Sequence, residues 1–568
     1  MNKNAIYHEP ESNYCFPLDE KTIILRLRVD RNDIFQKVKV LYGDKYTYYK
    51  KQKNIEMSLK YQDLLFSYYE VKIKLLDVRF VYIFELENNG LNYFYHEEGL
   101  TLEYDFSKAF YNCFQFPYIN KIDIPHEIKW LENSVLYQIF VDRFNIGKKE
   151  KDRSYINMKW LDKPKSKSFA GGDILGIIEK IPYLKSLGVN LIYLTPVFSA
   201  ISNHKYDIND YYKIDPMFGE EKDLKELINL LHKNNMRIIL DGVFNHTSSL
   251  IMQFQDVVKN GKNSPYFNWF LINDDFVNNK SPNYETFSHC AYLPKLNTSN
   301  VEVQNFLIEI GKYYVNEYHI DGWRLDVSDE VSHSFWRKFN EELKNISKDI
   351  LLLGENWHNA SSFLKGDQLD SIINYGFTKT MLDYICYDAS NADDTSNKLN
   401  NLLIRYKDQT NKMMVNMLDS HDTNRFYSET KKDKDKLLLG LAITFQFIGV
   451  PGIFAGIECP LEGGYDPDNR RCVDWSLINN SNDYLNKLKS IIKIRKEKVI
   501  IEGDISVFAI NDLLIIDRYT KKNRIRLIAN NSGKSKNLSL ENYEVILENR
   551  MEQGNLLDKG FVIMRAKV

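Results

Sequence analysis

Hydrophobic and polar positions change rhythm twice along the chain, which divides it into three parts. Up to about residue 125, short runs such as "TIILRLRVD", "KVKVLYG", "VKIKLLD" and "VRFVYIFELENNG" alternate apolar with polar positions and are broken by Asn-Gly and Gly-Asp. Period-2 alternation with such turn signals predicts an all-β sandwich. From "WLENSVLYQIFVDRF" (130–144) to about residue 500, near-continuous apolar runs alternate with longer amphipathic stretches: "VNLIYLTPVF", "MRIILDGVFNH", "IDGWRLDV", "ILLLGENWH", "LDSIINY", "MMVNMLDSHD" and "GVPGIFAG" follow the first. Runs of this kind are strands buried on both faces of a parallel sheet. Eight β/α units predict a TIM barrel over 126–500, longer than the ~250 residues of a plain barrel, with the excess in an aromatic, Asn-rich insertion after the third strand at about 247–318. From 501 to 568 period 2 returns in "DISVFAI", "DLLIIDRYT", "RIRLIANNS" and "FVIMRA", and predicts a second small β-sandwich.

Composition narrows the functions open to such a chain. Its 75 basic and 77 acidic residues nearly cancel, so nothing marks a nucleic-acid or anionic-membrane partner. The N-terminal stretch has no apolar core for a signal peptide, and no apolar run is long enough to span a bilayer. The six Cys are scattered without a CxxC pair and read as reduced thiols. A cytoplasmic protein is expected.

In a barrel of this type the chemistry sits at the C-terminal ends of the strands. The third strand brings Asp241, Asn245 and His246 there, the fourth Arg324 and Asp326, the fifth Glu355, Trp357 and His358, and the seventh His421 and Asp422. One such residue could be a solvated turn, but carboxylates from several strands, together with an Arg and three imidazoles, argue for one site. Without a phosphate loop or a metal-ligand pattern, glycoside hydrolysis suits this set. Arg324, two positions before Asp326 on the same strand, would face the same side and hold that carboxylate ionised, as a nucleophile requires. Glu355, beside Trp357, would be raised by desolvation and act as acid/base. Tyr206 in "NHKYD" offers a stacking floor for a sugar ring.

The segments "DGVFNH" (241–246), "GWRLDVSDE" (322–330), "GENWH" (354–358) and "LDSHDTNR" (418–425) resemble the four signature segments of the α-amylase family of glycoside hydrolases (family 13). "LPKLN" (293–297), "NRRCVDW" (469–475) and the opening "AIYHEPESNYCFP" resemble the cyclomaltodextrinase, neopullulanase and maltogenic amylase subfamily, whose N-terminal domain is of a starch-binding type and takes part in dimerisation. The resemblance implies Asp326 as nucleophile, Glu355 as general acid/base and Asp422 as the third carboxylate. It also implies Tyr206, His246, Arg324, Trp357, His421, Asp466 and Arg470 as substrate contacts. Asp241 and Asp207 are expected to brace their neighbours, and His204 to be a support as readily as a contact. Phe287, Lys295 and Asn297 are expected mainly to pack, while Ser328 and Asp329 form a turn and Glu330 reaches the acceptor side. Retention of configuration is implied, with the two reacting carboxyl groups about 5–5.5 Å apart.

Three departures qualify the resemblance. "GVPGIFAGIE" (449–458) replaces a Tyr-Gly-Asp stretch by Ala455, Gly456 and Ile457, and so lacks an acidic group. "VSDE" follows the nucleophile where typical α-amylases carry Lys-His, which agrees with the subfamily. The Asn/Asp-rich calcium loop after the first strand reads "NIGKKEKDRS" here. Asn145, Asp152, Gly172 and Asp173 are its candidate ligands, but three Lys oppose a hard cation that needs six to eight oxygens. No cofactor is required, and calcium is a doubtful addition. The resulting expectation is a dimeric, retaining hydrolase of α-1,4 bonds in cyclodextrins, maltodextrins or pullulan, with some transglycosylation. A 4-α-glucanotransferase or isomerase on the same scaffold, and a glucan-binding homologue without activity, are the alternatives.

Overall fold

A computed structural model describes all residues except 480, 567 and 568. The N-terminal part is a sandwich. One antiparallel sheet contains Cys15–Asp19, Thr22–Asp30, Phe66–Lys74 and Ser58–Gln62, and the other is built on Lys37–Asp44, Phe80–Asn88 and Leu91–His96. Alternation along Thr22–Asp30 sends Ile23, Leu25, Leu27 and Val29 into the inter-sheet core against Val38, Val40, Tyr82 and Phe84. The opposite face of that strand turns Arg26 toward the barrel. There its guanidinium is fully buried, pairs with Glu70 (2.8 Å) and Asp408, and donates to the carbonyls of Asn13 (3.0 Å) and Tyr406 (3.2 Å).

The barrel strands, labelled β1 to β8 here, are Leu136–Ile139, Leu191–Leu194, Arg237–Gly242, Gly322–Leu325, Leu351–Gly354, Ser371–Ile372, Val415–Met417 and Val450–Phe454. All pair in parallel in the order β6-β5-β4-β3-β2-β1-β8-β7, and a bridge from Ile373 to Val415 closes the ring between β6 and β7. Most of these strand residues are buried, as their unbroken apolar runs require.

Two details differ from the sequence reading. The insertion after β3, expected over about 247–318, ends at Asn300, which caps the helix Val301–Tyr313 through bonds to the N–H groups of Glu302 and Val303. That helix packs on the barrel helix His333–Ile346 and belongs to the barrel. The C-terminal strands, expected as a sandwich, hydrogen-bond into one antiparallel sheet. Both its faces are covered: Leu514, Ile516, Leu527 and Ile563 join the barrel core, while Leu513, Ile515, Ile528 and Met564 form a small core outside it. Period 2 reports two covered faces without telling whether a sheet or helices cover them. Among the described residues no helix is long and apolar enough to cross a membrane.

Candidate active site

The C-terminal ends of β3, β4, β5 and β7 open on a cleft of about 920 Å³. Tyr206, His246, Asp326, Glu355, Trp357, Asp422, Asp466 and Arg470 all line it. Arg324 lies beneath, with no exposure, and organises the carboxylates. Its Nη1 contacts Asp326 Oδ1 at 2.8 Å and Asp241 Oδ1 at 3.0 Å, and its Nη2 contacts Glu355 Oε2 at 2.7 Å. Asp422 Oδ2 lies 3.9 Å from Nη2. One guanidinium thus joins acids from four strand ends.

The sharing changes the electrostatics expected at Asp326. Burial pushes its carboxyl well above the ordinary range, Arg324 pulls the other way, and Glu355, Asp241 and Asp422 add to the rise. A single cation divided among four acids does not outweigh their desolvation, so the depressed pKa expected from the Arg324–Asp326 pairing is not found. Glu355 is raised, first by burial, as an acid/base requires. Asp241 rises to about 6 through burial; it accepts from Tyr206 Oη (2.9 Å) and also from Tyr193, and it lies behind the cleft as a brace.

Both imidazoles are held neutral by burial, His246 at about 3 and His421 well below its ordinary value. They can therefore serve as hydrogen-bonding walls. His421 is fixed by Gln138 at Nδ1 (2.6 Å) and by Tyr206 Oη at Nε2 (2.6 Å), with Asp422 Oδ2 3.1 Å from that nitrogen. The Tyr206 ring lies parallel to His421 at 5.6 Å. Arg470 pairs with Asp422 (3.3 Å) and Asp466 (2.9 Å), tying the loop after β8 to the end of β7.

Local backbone aims these groups. Val327, directly after Asp326, has φ 44°, a left-handed conformation that is costly for a β-branched residue. The turn points its N–H at Glu355 Oε2 (3.1 Å). Asp207 braces its loop through Ser202, and His204 Nδ1 accepts the Tyr206 N–H (3.1 Å), as supports.

Two residues read as packing do more. Phe287 lines the cleft and stacks on His246 at 4.7 Å. Lys295 pairs with Glu330 (3.0 Å) and bonds Asn245, linking the insertion to the turn after β4. Sequence reasoning missed Tyr375, Gln138 and Tyr193, which hold Trp357, His421 and Asp241. Tyr375 stands three positions beyond β6, where a strand-end search would have found it. Glu458, next to the altered Ala455–Ile457 stretch, is buried, accepts from Gly456 N–H (3.0 Å) and Tyr137, and keeps an acid in that segment.

The four calcium candidates do not form a cation cage. Asp152 accepts from Ser154 N–H (2.9 Å) at the surface, the Asn145 amide donates to Gly176 O (3.2 Å), and the Gly172 N–H donates to Asp142 O (3.0 Å). Asp173 is buried, but its carboxylate already pairs with Lys151 (2.9 Å) and Arg153 (3.5 Å).

Comparison with known proteins agrees with this architecture. The model of the α-amylase catalytic domain matches residues 138–493, and that of the α-amylase N-terminal Ig-like domain matches 1–120. A cyclomaltodextrinase of Thermoanaerobacter pseudethanolicus is 38% identical over 566 residues, covering 98% of each chain. An intracellular maltogenic amylase of Bacillus subtilis is 37% identical over 509 residues, covering 88% of this chain and 85% of its own. A solved cyclomaltodextrinase structure superposes with a TM-score of 0.92 at 32% identity, covering all of both chains. The chain belongs to the α-amylase family and is a glycoside hydrolase of its cyclomaltodextrinase, maltogenic amylase and neopullulanase group.

Proposed function

We propose that the protein hydrolyses α-1,4 bonds of cyclodextrins and short maltodextrins, or of pullulan, with retention of configuration. The observation that carries this reading is the single buried guanidinium of Arg324, whose two terminal nitrogens hold Asp326 and Glu355 side by side. The cluster has more acids than cations, and burial raises Asp326, Glu355 and Asp241 together, so the coupled set shares a proton; in the reaction Glu355 carries it to the leaving oxygen. Glu355 protonates the glycosidic oxygen as the Asp326 carboxylate attacks the anomeric carbon, breaking the bond and forming a glycosyl ester. Glu355, now ionised, takes a proton from water; that water attacks the same carbon and releases Asp326. A sugar hydroxyl in place of water gives transglycosylation. Asp422, beside neutral His421, accepts from sugar hydroxyls, and Tyr206, His246 and Trp357 wall the sugar.

A cytoplasmic location is supported by six free cysteines. A homodimer through the N-terminal domain is supported by its exposed Tyr46, Phe110 and Tyr111, and light scattering tests it against the 67.0 kDa of one chain.

Initial rates on β-cyclodextrin, soluble starch and pullulan, for wild type and Asp326→Asn, test the function. Fast ring opening with slow starch cleavage, lost in the variant, is expected, with the α-anomer released first by NMR. Equal turnover by Asp326→Asn would remove the nucleophile assignment, and no turnover by wild type would favour a glucan-binding role.

A further inference from the structure

The loop after β1 is fastened by a cation that belongs to the chain. Asp173, with no exposure, caps the helix Ile174–Leu187: its Oδ1 accepts from the N–H groups of Gly176 (2.7 Å) and Gly147 (3.0 Å). The other oxygen, Oδ2, meets the Lys151 ammonium at 2.9 Å and Arg153 at 3.5 Å. Lys151 Nζ also donates to the carbonyl of Met217 at 2.7 Å, and Arg153 donates to the carbonyls of Lys149 (3.1 Å) and Gly147. A buried carboxylate and several carbonyl oxygens are the donors a hard divalent cation would use. Here they surround an ammonium and a guanidinium.

The contacts continue to the cleft. Met217 N–H donates to Asp215 Oδ1 (2.9 Å), and Asp215 Oδ2 pairs with Lys205 Nζ at 2.8 Å, both side chains being buried. Lys205 has φ 64° and immediately precedes Tyr206. Direct contacts therefore lead from the helix cap through Lys151, Met217, Asp215 and Lys205 to the aromatic floor of the site.

We propose that Lys151 is a positioning residue whose tethered ammonium stands in for a divalent cation, fastening the loop 145–153 to the turn that carries Tyr206, so that the cleft assembles without metal. The link to substrate rests on the proposed role of Tyr206. A covalently attached cation cannot be removed by a chelator, and Arg153 beside it opposes entry of a second charge.

The test compares wild type, Lys151→Met and Lys151→Arg by melting temperature in EDTA and in millimolar CaCl2, and by KM and kcat on β-cyclodextrin. Wild type is expected to melt identically in both solutions. Lys151→Met should melt lower, regain part of the loss in calcium, and raise KM several-fold with a smaller change in kcat, while Lys151→Arg stays near wild type. A lower wild-type melting temperature in EDTA, or a Lys151→Met variant indifferent to calcium, would overturn the stand-in role. A variant that melts lower yet keeps the wild-type KM would overturn the link to Tyr206. Should Lys151→Met fail to fold, the EDTA comparison on wild type and the behaviour of Lys151→Arg still decide. Melting uses no substrate, so this result stands apart from whether glucans are cleaved.

Discussion

Trp357 lies flat on Tyr375, with ring centroids 3.7 Å apart and planes within 4° of parallel, and its indole N–H reaches Glu355 Oε1 at 3.3 Å. The stack holds an aromatic edge beside the carboxyl, and the N–H favours its ionised form. Trp357→Phe keeps the ring and removes the donor. The already raised pKa of Glu355 should rise further, moving the basic limb of kcat/KM on β-cyclodextrin to higher pH. A pH–rate profile showing no shift, or a shift to lower pH, would remove this coupling.

Glu355→Gln should separate the two steps. On a natural glycoside, where the leaving oxygen needs a proton, kcat should fall by ~10²–10⁴-fold. On maltosyl fluoride, whose leaving group needs none, the first step should persist and fluoride release should exceed the natural rate of the variant. Equal losses on both substrates would assign the proton donor elsewhere.

Asp419, after β7, is buried; its Oδ2 accepts from Phe426 N–H (2.8 Å) and its Oδ1 has no partner among the described residues. Burial raises its carboxyl from 3.8 to about 6. The raised folded-state value means that the stabilisation belongs to the protonated form: it is fully present below the unfolded value and is lost as pH rises through about 6. The loss corresponds to about 3 kcal/mol. Asp419→Asn keeps an acceptor without the charge, so it should melt above wild type at alkaline pH and converge with it in acid. Parallel melting curves across pH would contradict this.

Arg26→Ala should loosen the N-terminal sandwich from the barrel. Removing the guanidinium leaves Glu70 and Asp408 without their buried partner. Breaking a buried pair of this kind costs about 3–5 kcal/mol. Calorimetry should show an earlier transition, and an unchanged thermogram would mean that the contact joins nothing.

Much of this molecule could be read from the chain because its signals are local. Eight apolar runs predict the barrel, and polar residues at their C-terminal ends predict the cleft, since a strand's direction decides which end carries chemistry. What could not be read depends on distance in sequence. Arg26 and Asp408 are 382 positions apart, and no period relates them. The four-way sharing of Arg324 is equally hidden: the two-residue spacing to Asp326 shows the nearest partner but not Asp241 or Glu355, which change the sign of the shift. The packing of the helix Val301–Tyr313 on the barrel is hidden too, because an amphipathic helix looks the same whether it packs on a barrel or within an excursion from it. In the sequence Lys151 is only a charge opposing a metal, because its partners Asp173 and Met217 come from distant positions.

Val327 marks a place where this fold can be improved. Selection for thermal robustness alone would favour Gly or Asn at that position, since either relieves a left-handed β-branched residue. Either residue would keep the same left-handed turn and the N–H that it delivers to Glu355, so the strain can be relieved without losing that bond. Directed evolution toward a hardier enzyme should therefore find gains at residue 327 and at Asp419, and leave the Arg26 clasp and Lys151 untouched.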